Sequence, residues 1–259
     1  MKTEPAKITS AQNQTIKELA KLSSKKVRDE KGLFLAEGLH LLQEASDAGL
    51  LEQVFQLENA PLFQTRTKQY IPITFCTQPV LNKLSSQKSD AKYIGVIRKP
   101  EETDLAGFLK SHQKVLLLDH LQDPGNVGTL IRSACAFGMD AVLLSANCAD
   151  PYGPKAIQSS QGALFHIPVL EADLFSAIEA LKQEGVHVYG AALHQDSSEL
   201  HDTRIPETFG IVIGNEGQGI RPEILSACSS LIHIEMAAFE SLNAAIAGSI
   251  LMYAFQFPD

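Results

Sequence analysis

The feature that most constrains the fold is a regular alternation of short apolar runs and helical patterns, which begins at Val115 and continues almost to the end of the chain. Most apolar residues in these runs are Leu or β-branched, which is typical of strands buried on both faces. The alternation predicts an α/β domain with a mostly parallel sheet and helices on both of its faces. Strands are predicted at residues 115–119, 141–144, 167–170, 186–191, 209–213 and 231–234, and helices at 126–137, 155–162, 173–184, 222–227 and 240–255.

Composition excludes several classes of protein. The chain has 259 residues, of which 44% are hydrophobic and 20% charged, enough for a substantial core and unlike a disordered or fibrous chain. Its most apolar stretch, residues 244–257, is shorter than the roughly 20 residues that span a bilayer, and residues 1–5 lack the apolar run of a signal peptide. The four cysteines form no C-x-x-C pair, so we expect reduced thiols in a cytoplasmic protein without a metal site.

Charge is unevenly distributed along the chain. The net charge is −8, but residues 1–100 carry +5 and residues 101–259 carry −13. The basic excess is densest near the start, and such a cluster attracts phosphates, although a solvated helix face explains it equally well. The candidate RNA-binding residues in this cluster are Lys17, Lys21, Lys25, Lys26 and Arg28.

The first hundred residues differ in pattern from the rest. Helices are predicted at 10–23 and 37–48, and short apolar runs follow at 54–57, 71–75 and 93–97, with a helical stretch between some of them. This arrangement predicts a small N-terminal α/β domain over residues 1–98. A polar, Pro-containing segment opens the linker and leading helix, 99–113, and the larger domain covers 114–259.

Three polar loops follow three of the predicted strands, at 119–132, 214–219 and 235–243. Because the carboxyl ends of parallel strands share one edge of a sheet, these loops are expected to meet where ligands bind. In the first loop Asn126 opens a helix and Arg132 follows six residues later, which suits an anion, although a capping Asn and a surface Arg are the simpler alternative.

The second loop has the order G-x-x-G-x-G, which is not that of a dinucleotide-binding loop and argues against a nucleotide-dependent oxidoreductase. Glu216 lies between its glycines, either to orient a ligand or as an exposed turn carboxylate. In the third loop Ser241 and Asn243 precede an apolar helix, where both are also ordinary helix-start residues.

Taken together, the three loops resemble the SpoU (TrmH-like) class of SPOUT RNA methyltransferases, which transfer a methyl group from S-adenosylmethionine to a ribose 2′-hydroxyl. The resemblance is carried by the strings at 123–132, 213–220 and 240–243, in that order and each after a predicted strand. Residues 7–97 are similar to the substrate-binding domain of ribosomal-RNA members, most clearly in the string at 34–38. The resemblance also implies a C-terminal trefoil knot, a homodimer whose active site is completed across the interface, and no metal.

Site residues follow from the resemblance, position by position. The implied catalytic residues are Asn126, Arg132, Glu216, Ser241 and Asn243. The implied cofactor-binding residues are Leu193, Gly214, Asn215, Gly217, Gly219, Ile234, Met236 and Leu242. Arg132 is often assigned as the base in this family, but an arginine almost never loses its proton, so polarising the hydroxyl or clamping the phosphate is the preferred role.

The third loop departs from the family pattern, which usually has Ile-Pro-Met followed by a glycine. Here Glu235 stands in place of the proline, the glycine is missing and the loop is one residue shorter. We therefore keep two alternatives to a ribosomal-RNA ribose methyltransferase. One is a non-catalytic RNA-binding or ribosome-assembly protein on the same fold, and the other is a transfer-RNA ribose methyltransferase.

Overall fold

The computed structural model describes residues 6–86, 90–100, 104–237 and 241–258. It divides into two compact units, Met1–Glu101 with Tyr152–Phe165, and Glu102–Pro151 with His166–Asp259. This division places residues 152–165 in the first unit, whereas the sequence predicts them in the larger domain. Aromatic packing explains the difference, since the rings of Tyr152 and Phe165 lie 5.1 and 6.3 Å from that of Phe34. The predicted boundaries at 98/99 and 113/114 stay predictions.

The first unit is built on a five-stranded mixed sheet. Its strands are β1 (Ala6–Ile8), β2 (Leu33–Glu37), β3 (Leu51–Leu57), β4 (Ile73–Cys76) and β5 (Tyr93–Arg98), in the order β1-β4-β3-β5-β2. The first three strands of that order are parallel, and β5 runs antiparallel to β3 and β2. Its helices are α1 (Gln14–Ala20), α2 (Lys25–Lys31), α3 (Leu39–Asp47), α4 (Gln78–Leu84) and α7 (Pro154–Ser160), with 3₁₀ turns at Lys21–Ser23 and Ala163–Phe165.

The second unit confirms the predicted α/β fold with a mostly parallel sheet. Its strands are β6 (Lys114–Leu118), β7 (Ala141–Leu144), β8 (Val169–Glu171), β9 (His187–Ala191), β10 (Ser198–Glu199), β11 (Phe209–Ile213) and β12 (Ser230–His233). All pair in parallel in the order β10-β12-β9-β11-β6-β7-β8. Its helices are α5 (Leu105–Leu109), α6 (Pro124–Ala136), α8 (Leu174–Gln183), α9 (Pro222–Ala227) and α10 (Ala244–Gln256).

Strand order positions the functional edge of this sheet. From β6 the chain moves outward to β7 and β8, then returns to β9 on the other side, and β11 fills the gap between β9 and β6. The direction of winding therefore reverses at β6 and β11, and the loops that follow these strands diverge there. Such a reversal is the usual ligand site of an open parallel sheet.

At the candidate site, two helix starts differ from the prediction, in both cases because another side chain caps the helix. The helix predicted from Asn126 begins at Pro124, since the Asp123 carboxylate accepts a hydrogen bond of 3.0 Å from the Asn126 backbone N–H. The helix predicted from Glu240 begins at Ala244, with Asn243 as its cap; Glu240 itself lies outside the described residues. As a result, Asn126 lies on the first turn of α6, and Ser241 lies in the loop before α10.

Strands β1, β2 and β10 and helix α2 are absent from the sequence-based prediction. Strands β1 and β10 are two or three residues long and largely exposed, so they carry no apolar run. Within the described residues, no helix is long and apolar enough to cross a membrane.

Candidate active site

The site begins with Glu216, which follows β11. Its Oε1 accepts hydrogen bonds from the Asn126 side-chain amide at 2.9 Å and from the backbone N–H of Asp123 at 3.2 Å, and its Oε2 accepts from the backbone of Gln122. Partial burial alone raises the pKa of Glu216, but these donors outweigh it, so the pKa is lowered overall. The carboxylate is therefore ionised at neutral pH and fixes the first loop to the second.

Asn126 connects this carboxylate to the third loop. Its Oδ1 accepts a hydrogen bond of 3.0 Å from the Asn243 amide, and Asn243 in turn accepts from the backbone N–H groups of Ala245 and Ile246. An amide suits the middle position because it donates and accepts at once. The structure thus brings together three predicted catalytic residues, one from each loop.

Arg132 and Ser241 are the two predicted catalytic residues outside this network. Arg132 lies on the exposed face of α6, and neither side chain forms a hydrogen bond or ion pair with any residue in the described ranges. Both are therefore available to a ligand.

The glycine-rich second loop folds back on itself. Asn215 and Gly219 exchange two backbone hydrogen bonds of 2.9 Å, and the Asn215 side chain accepts from the backbone of Gly217 and Gln218. A Cβ at Gly214 would lie 2.3 Å from the backbone of Gly219, so the absence of a side chain there serves the turn itself. Asn215 also donates to the His120 carbonyl at 2.8 Å, which joins this loop to the end of β6.

The remaining predicted cofactor residues follow two neighbouring strands, β9 and β12. Leu193 lies beyond β9, Ile234 and Met236 follow β12, and Leu242 precedes α10. Leu193 and Leu242 are 66% and 39% exposed, so both apolar side chains are accessible to a ligand. Together with the open space beside Gly219, this edge fits a ligand with both apolar and polar parts. The residues present therefore fit S-adenosylmethionine.

Asp119 also belongs to this region, although the sequence pattern does not predict it. Its fully buried carboxylate accepts from Arg221 Nε at 2.8 Å and from the Arg221 backbone N–H at 2.9 Å, and these hydrogen bonds raise the pKa of Arg221. The pair joins the end of β6 to the start of α9. It therefore links the first loop, which follows β6, to the second loop, which precedes α9. A lone Asp at a strand end gave the only signal, and its arginine partner is 102 residues away.

The unusual Glu235 of the third loop also has a partner. Its carboxylate accepts a hydrogen bond of 3.0 Å from the His201 backbone and a second one from the His201 ring. Backbone hydrogen bonding from His201, with the other contacts of this side chain, lowers the pKa of Glu235 to about 2. The hydrogen bond to Glu235 raises the pKa of His201. Glu199 lies beside them, and the ligand atoms of the three lie within 4.8 Å of one another.

In the N-terminal unit the basic cluster separates into two groups. Lys17, Lys21, Lys25 and Lys26 are exposed, and Lys21 and Lys25 form ion pairs with Glu18 and Asp29. Arg28 differs from the prediction: it is only 5% exposed and donates to the carbonyls of Leu22 and Ser23 at 2.7 and 2.9 Å. Because its guanidinium binds the backbone, Arg28 does not share the exposed lysine surface.

The fold and the site define a class: an α/β enzyme with a polar site where the winding of its parallel sheet reverses. Residues 113–253 match the SpoU rRNA Methylase family, and residues 13–95 match the MRM3-like substrate binding domain. The chain belongs to the SpoU rRNA methylase family, as the sequence predicted.

Several RNA methyltransferases are similar to this protein over nearly the whole chain. The 23S rRNA (guanosine(2553)-2′-O)-methyltransferase RlmP of Bacillus subtilis is 36% identical and aligns over 95% of this chain and 97% of its own. An AdoMet-bound rRNA methyltransferase from Sinorhizobium meliloti superposes with a TM-score of 0.87 at 25% identity, covering 98% of both chains. A structure described as an RNA 2′-O ribose methyltransferase has a TM-score of 0.79 at 29% identity, covering 95% of this chain and 96% of that one. The predictions of an RNA methyltransferase and of S-adenosylmethionine as its cofactor are confirmed.

Proposed function

We propose that this enzyme methylates a ribose 2′-hydroxyl in large-subunit ribosomal RNA, with the residues of the three loops in the roles given below. The observation that carries the proposal is the hydrogen-bonded series Glu216, Asn126 and Asn243, which joins all three loops at the carboxyl edge of the sheet. The activity in the name of the Bacillus relative supports the target, and a guanosine in 23S rRNA is the first nucleotide to examine.

S-adenosylmethionine supplies an electrophilic methyl group when bound. The chain's own residues hold the acceptor in line with that group, since direct displacement depends above all on alignment. Asn126 and Asn243 fix the start of α6 against the start of α10, and Glu216 holds Asn126 in place. Arg132 projects from α6, where its guanidinium polarises the hydroxyl or clamps the adjacent phosphate, and Ser241 helps to place the hydroxyl.

The cofactor residues are proposed from the geometry of the edge. Leu193, Ile234, Met236 and Leu242 provide apolar contacts, and the turn from Gly214 to Gly219, with Asn215 and Gly217, provides backbone groups. Asn215 acts through the turn, because its side chain is bonded within the loop and to His120.

We propose that Lys17, Lys21, Lys25 and Lys26 attract the RNA backbone. The cytoplasm, where ribosomal RNA is available, is the proposed location.

A homodimer is proposed on the exposed face of α10. Ile246, Ile250, Tyr253 and Phe257 recur every three or four residues, and each is at least 38% exposed. The opposite face packs on α6, where a Cβ added at Gly248 would lie 2.4 Å from Leu130 Cδ2. An apolar stripe of this kind on a helix is typical of an interface.

We also propose that the C-terminal segment forms a trefoil knot. Strand β12 is separated from β11 by β9, yet the following helix α10 packs on β11 and α6. The chain must therefore return across the end of β9, close to the loop between β9 and β11. Pulling the two ends apart in an optical trap tests this, because a knotted chain stops short of its full contour length.

The proposed activity is tested by incubating the protein with methyl-labelled S-adenosylmethionine and unmodified ribosomal RNA, either naked or in ribosomal particles. We expect label at one nucleotide whose 3′ phosphodiester resists alkaline hydrolysis, because a methylated 2′-oxygen no longer attacks it. Transfer to transfer RNA instead would favour that alternative. Calorimetric titration with the cofactor gives an independent check, with micromolar binding, about −8 kcal/mol, as the expected result.

A further inference from the structure

A cavity of about 240 Å³ lies in the first unit, and none of the proposed methyl-transfer residues lines it. It is formed by the 3₁₀ turn Lys21–Ser23, the end of β2, the end of α4 and the start of α7. Its volume is slightly below the roughly 300–1,000 Å³ of pockets for drug-sized ligands, so it suits a smaller, compact molecule. Its inner walls are apolar and include Leu22, Leu35 and Ile157.

A carboxylate, an amide and a guanidinium also line this cavity. Glu37, at the end of β2, accepts a hydrogen bond of 2.6 Å from the Ser85 hydroxyl through Oε2. Its second oxygen, Oε1, accepts none from any residue in the described ranges, although the residue is partly buried. The amide of Gln158 and the largely buried guanidinium of Arg28 also line the cavity. An acceptor without a donor beside apolar walls favours a ligand that supplies an N–H group.

The surroundings of the cavity are basic. Lys83 is exposed and lines it, and Lys21 opens the 3₁₀ turn that forms one wall. Lys26 lies one turn further along, at the start of α2. A partly apolar cavity lined by a carboxylate acceptor, with lysines at and around it, matches a nucleobase joined to a phosphate backbone. Proteins that read single-stranded RNA insert unstacked bases in this way, with hydrogen bonds to the base edge.

We propose that this cavity binds one unstacked nucleobase of the substrate RNA, with Glu37 accepting a hydrogen bond from an exocyclic amino group of the base. The proposal rests on RNA being the substrate. It adds a recognition site in the N-terminal unit, separate from the nucleotide that is methylated. Bases that carry an exocyclic amino group are expected to bind better than uracil.

The test uses the full-length protein and fluorescein-labelled RNA hexamers of a single base, measured by anisotropy. Ser86→Trp places a bulky ring at the exposed mouth of the cavity, and Asn82→Trp, on the exposed part of α4 outside the cavity, is the matched control. We expect Ser86→Trp to weaken binding of the adenine and cytosine hexamers at least tenfold and Asn82→Trp to leave it unchanged. Equal affinities of the two variants would overturn the proposal.

Two further measurements test the role of Glu37 and the binding of the base itself. Glu37→Gln keeps the shape of the side chain, and we expect it to reduce the preference for cytosine over uracil hexamers at least threefold; an unchanged ratio would contradict the assigned role. Free cytidine monophosphate should displace the hexamer at lower concentration than ribose 5-phosphate, and equal potency would show that the sugar phosphate alone is bound. Methyl transfer and cofactor affinity of the wild-type protein are measured in parallel, so a failure of the proposed activity is separable from a failure of the cavity.

Discussion

A single amide, Asn126, holds the central position between Glu216 and Asn243. Its Nδ2 donates to the carboxylate at 2.9 Å and its Oδ1 accepts from Asn243 at 3.0 Å. An aspartate would keep the acceptor and lose the donor. The orientation of this one side chain therefore couples the first loop to the other two.

Replacement of Asn126 by Asp tests that coupling. Two carboxylates would then face each other, so at pH 8 we expect methyl transfer to fall about ten- to a hundredfold, or roughly 1.4–2.8 kcal/mol. Like-charge proximity raises the pKa of one of the pair, and its protonation restores a donor. The relative rate should therefore recover as the pH is lowered to 6. Gln122→Glu, whose side chain points to the Asn147 carbonyl, is the control and should show no such recovery.

Removal of Arg132 tests the proposed acceptor clamp. Because this side chain has no partner in the described ranges, Arg132→Ala should change the free energy of unfolding by less than about 0.5 kcal/mol. Loss of one preorganised donor costs roughly a hundred- to a thousandfold in turnover. Arg132→Lys, which keeps the charge but not the planar fork, should be intermediate. Near-normal turnover of the alanine variant in single-turnover assays would contradict the role.

At the scale of elements, the candidate active site lies at the ends of neighbouring strands, and contacts between the loops that follow these strands fix its geometry. The segment after β9 contains β10, which pairs with β12 and places His201 beside Glu235. Glu235 lies between Ile234 and Met236, two proposed cofactor residues. We therefore propose that this ion pair helps to fix the loop around Glu235.

This pair gives cofactor binding a pH dependence with a definite sign. The pKa of Glu235 is about 2, so its contribution is complete above its ordinary value near 4.5 and is lost only in strong acid. The pKa of His201 is raised, so its contribution is complete below its ordinary value near 6.5 and is lost as the pH rises through the raised value. Besides Glu235, the acidic groups facing the ring are Glu199 and Asp202.

We therefore expect S-adenosylmethionine to bind more weakly at pH 9 than at pH 6. Calorimetric titration across this range should show a severalfold increase in Kd for the wild type. Both His201→Gln and Glu235→Gln should flatten the profile, whereas His40→Gln, an exposed histidine in the other unit, should not. An identical pH profile in all four proteins would show that the pair does not hold the loop.

At the scale of the whole molecule, the exposed apolar stripe of α10 carries the proposed dimer interface. Ile250→Asp places a charge in the middle of the stripe, so we expect it to convert a dimer to a monomer and to abolish most methyl transfer. Sedimentation equilibrium measures the first effect. Phe175→Asp, at another exposed apolar residue on α8, is the control and should stay dimeric. A wild-type protein that is monomeric at micromolar concentration would contradict the proposed dimer.

The sequence alone determined the second unit's class, because strands buried on both faces must be apolar and helices must separate parallel neighbours. Its strands 141–144 and 209–213 lie where the pattern predicted them. The three loops could also be recognised from the sequence. Their residues occur in a fixed order, each loop after a predicted strand, and helix capping or turn formation alone does not require that order. The weaker, mixed pattern of the first unit left β2 and α2 unpredicted.

Only the tertiary structure decided which partners these residues have. Arg28 looks like its lysine neighbours in sequence, yet it is buried because two carbonyls of a 3₁₀ turn need its donors. Asp119 and Arg221, His201 and Glu235, and residues 152–165 with Phe34 are brought together across long separations in the chain. Local pattern depends on period and propensity within a few residues, whereas a salt bridge or an aromatic contact between distant residues depends on strand order, which no local pattern encodes.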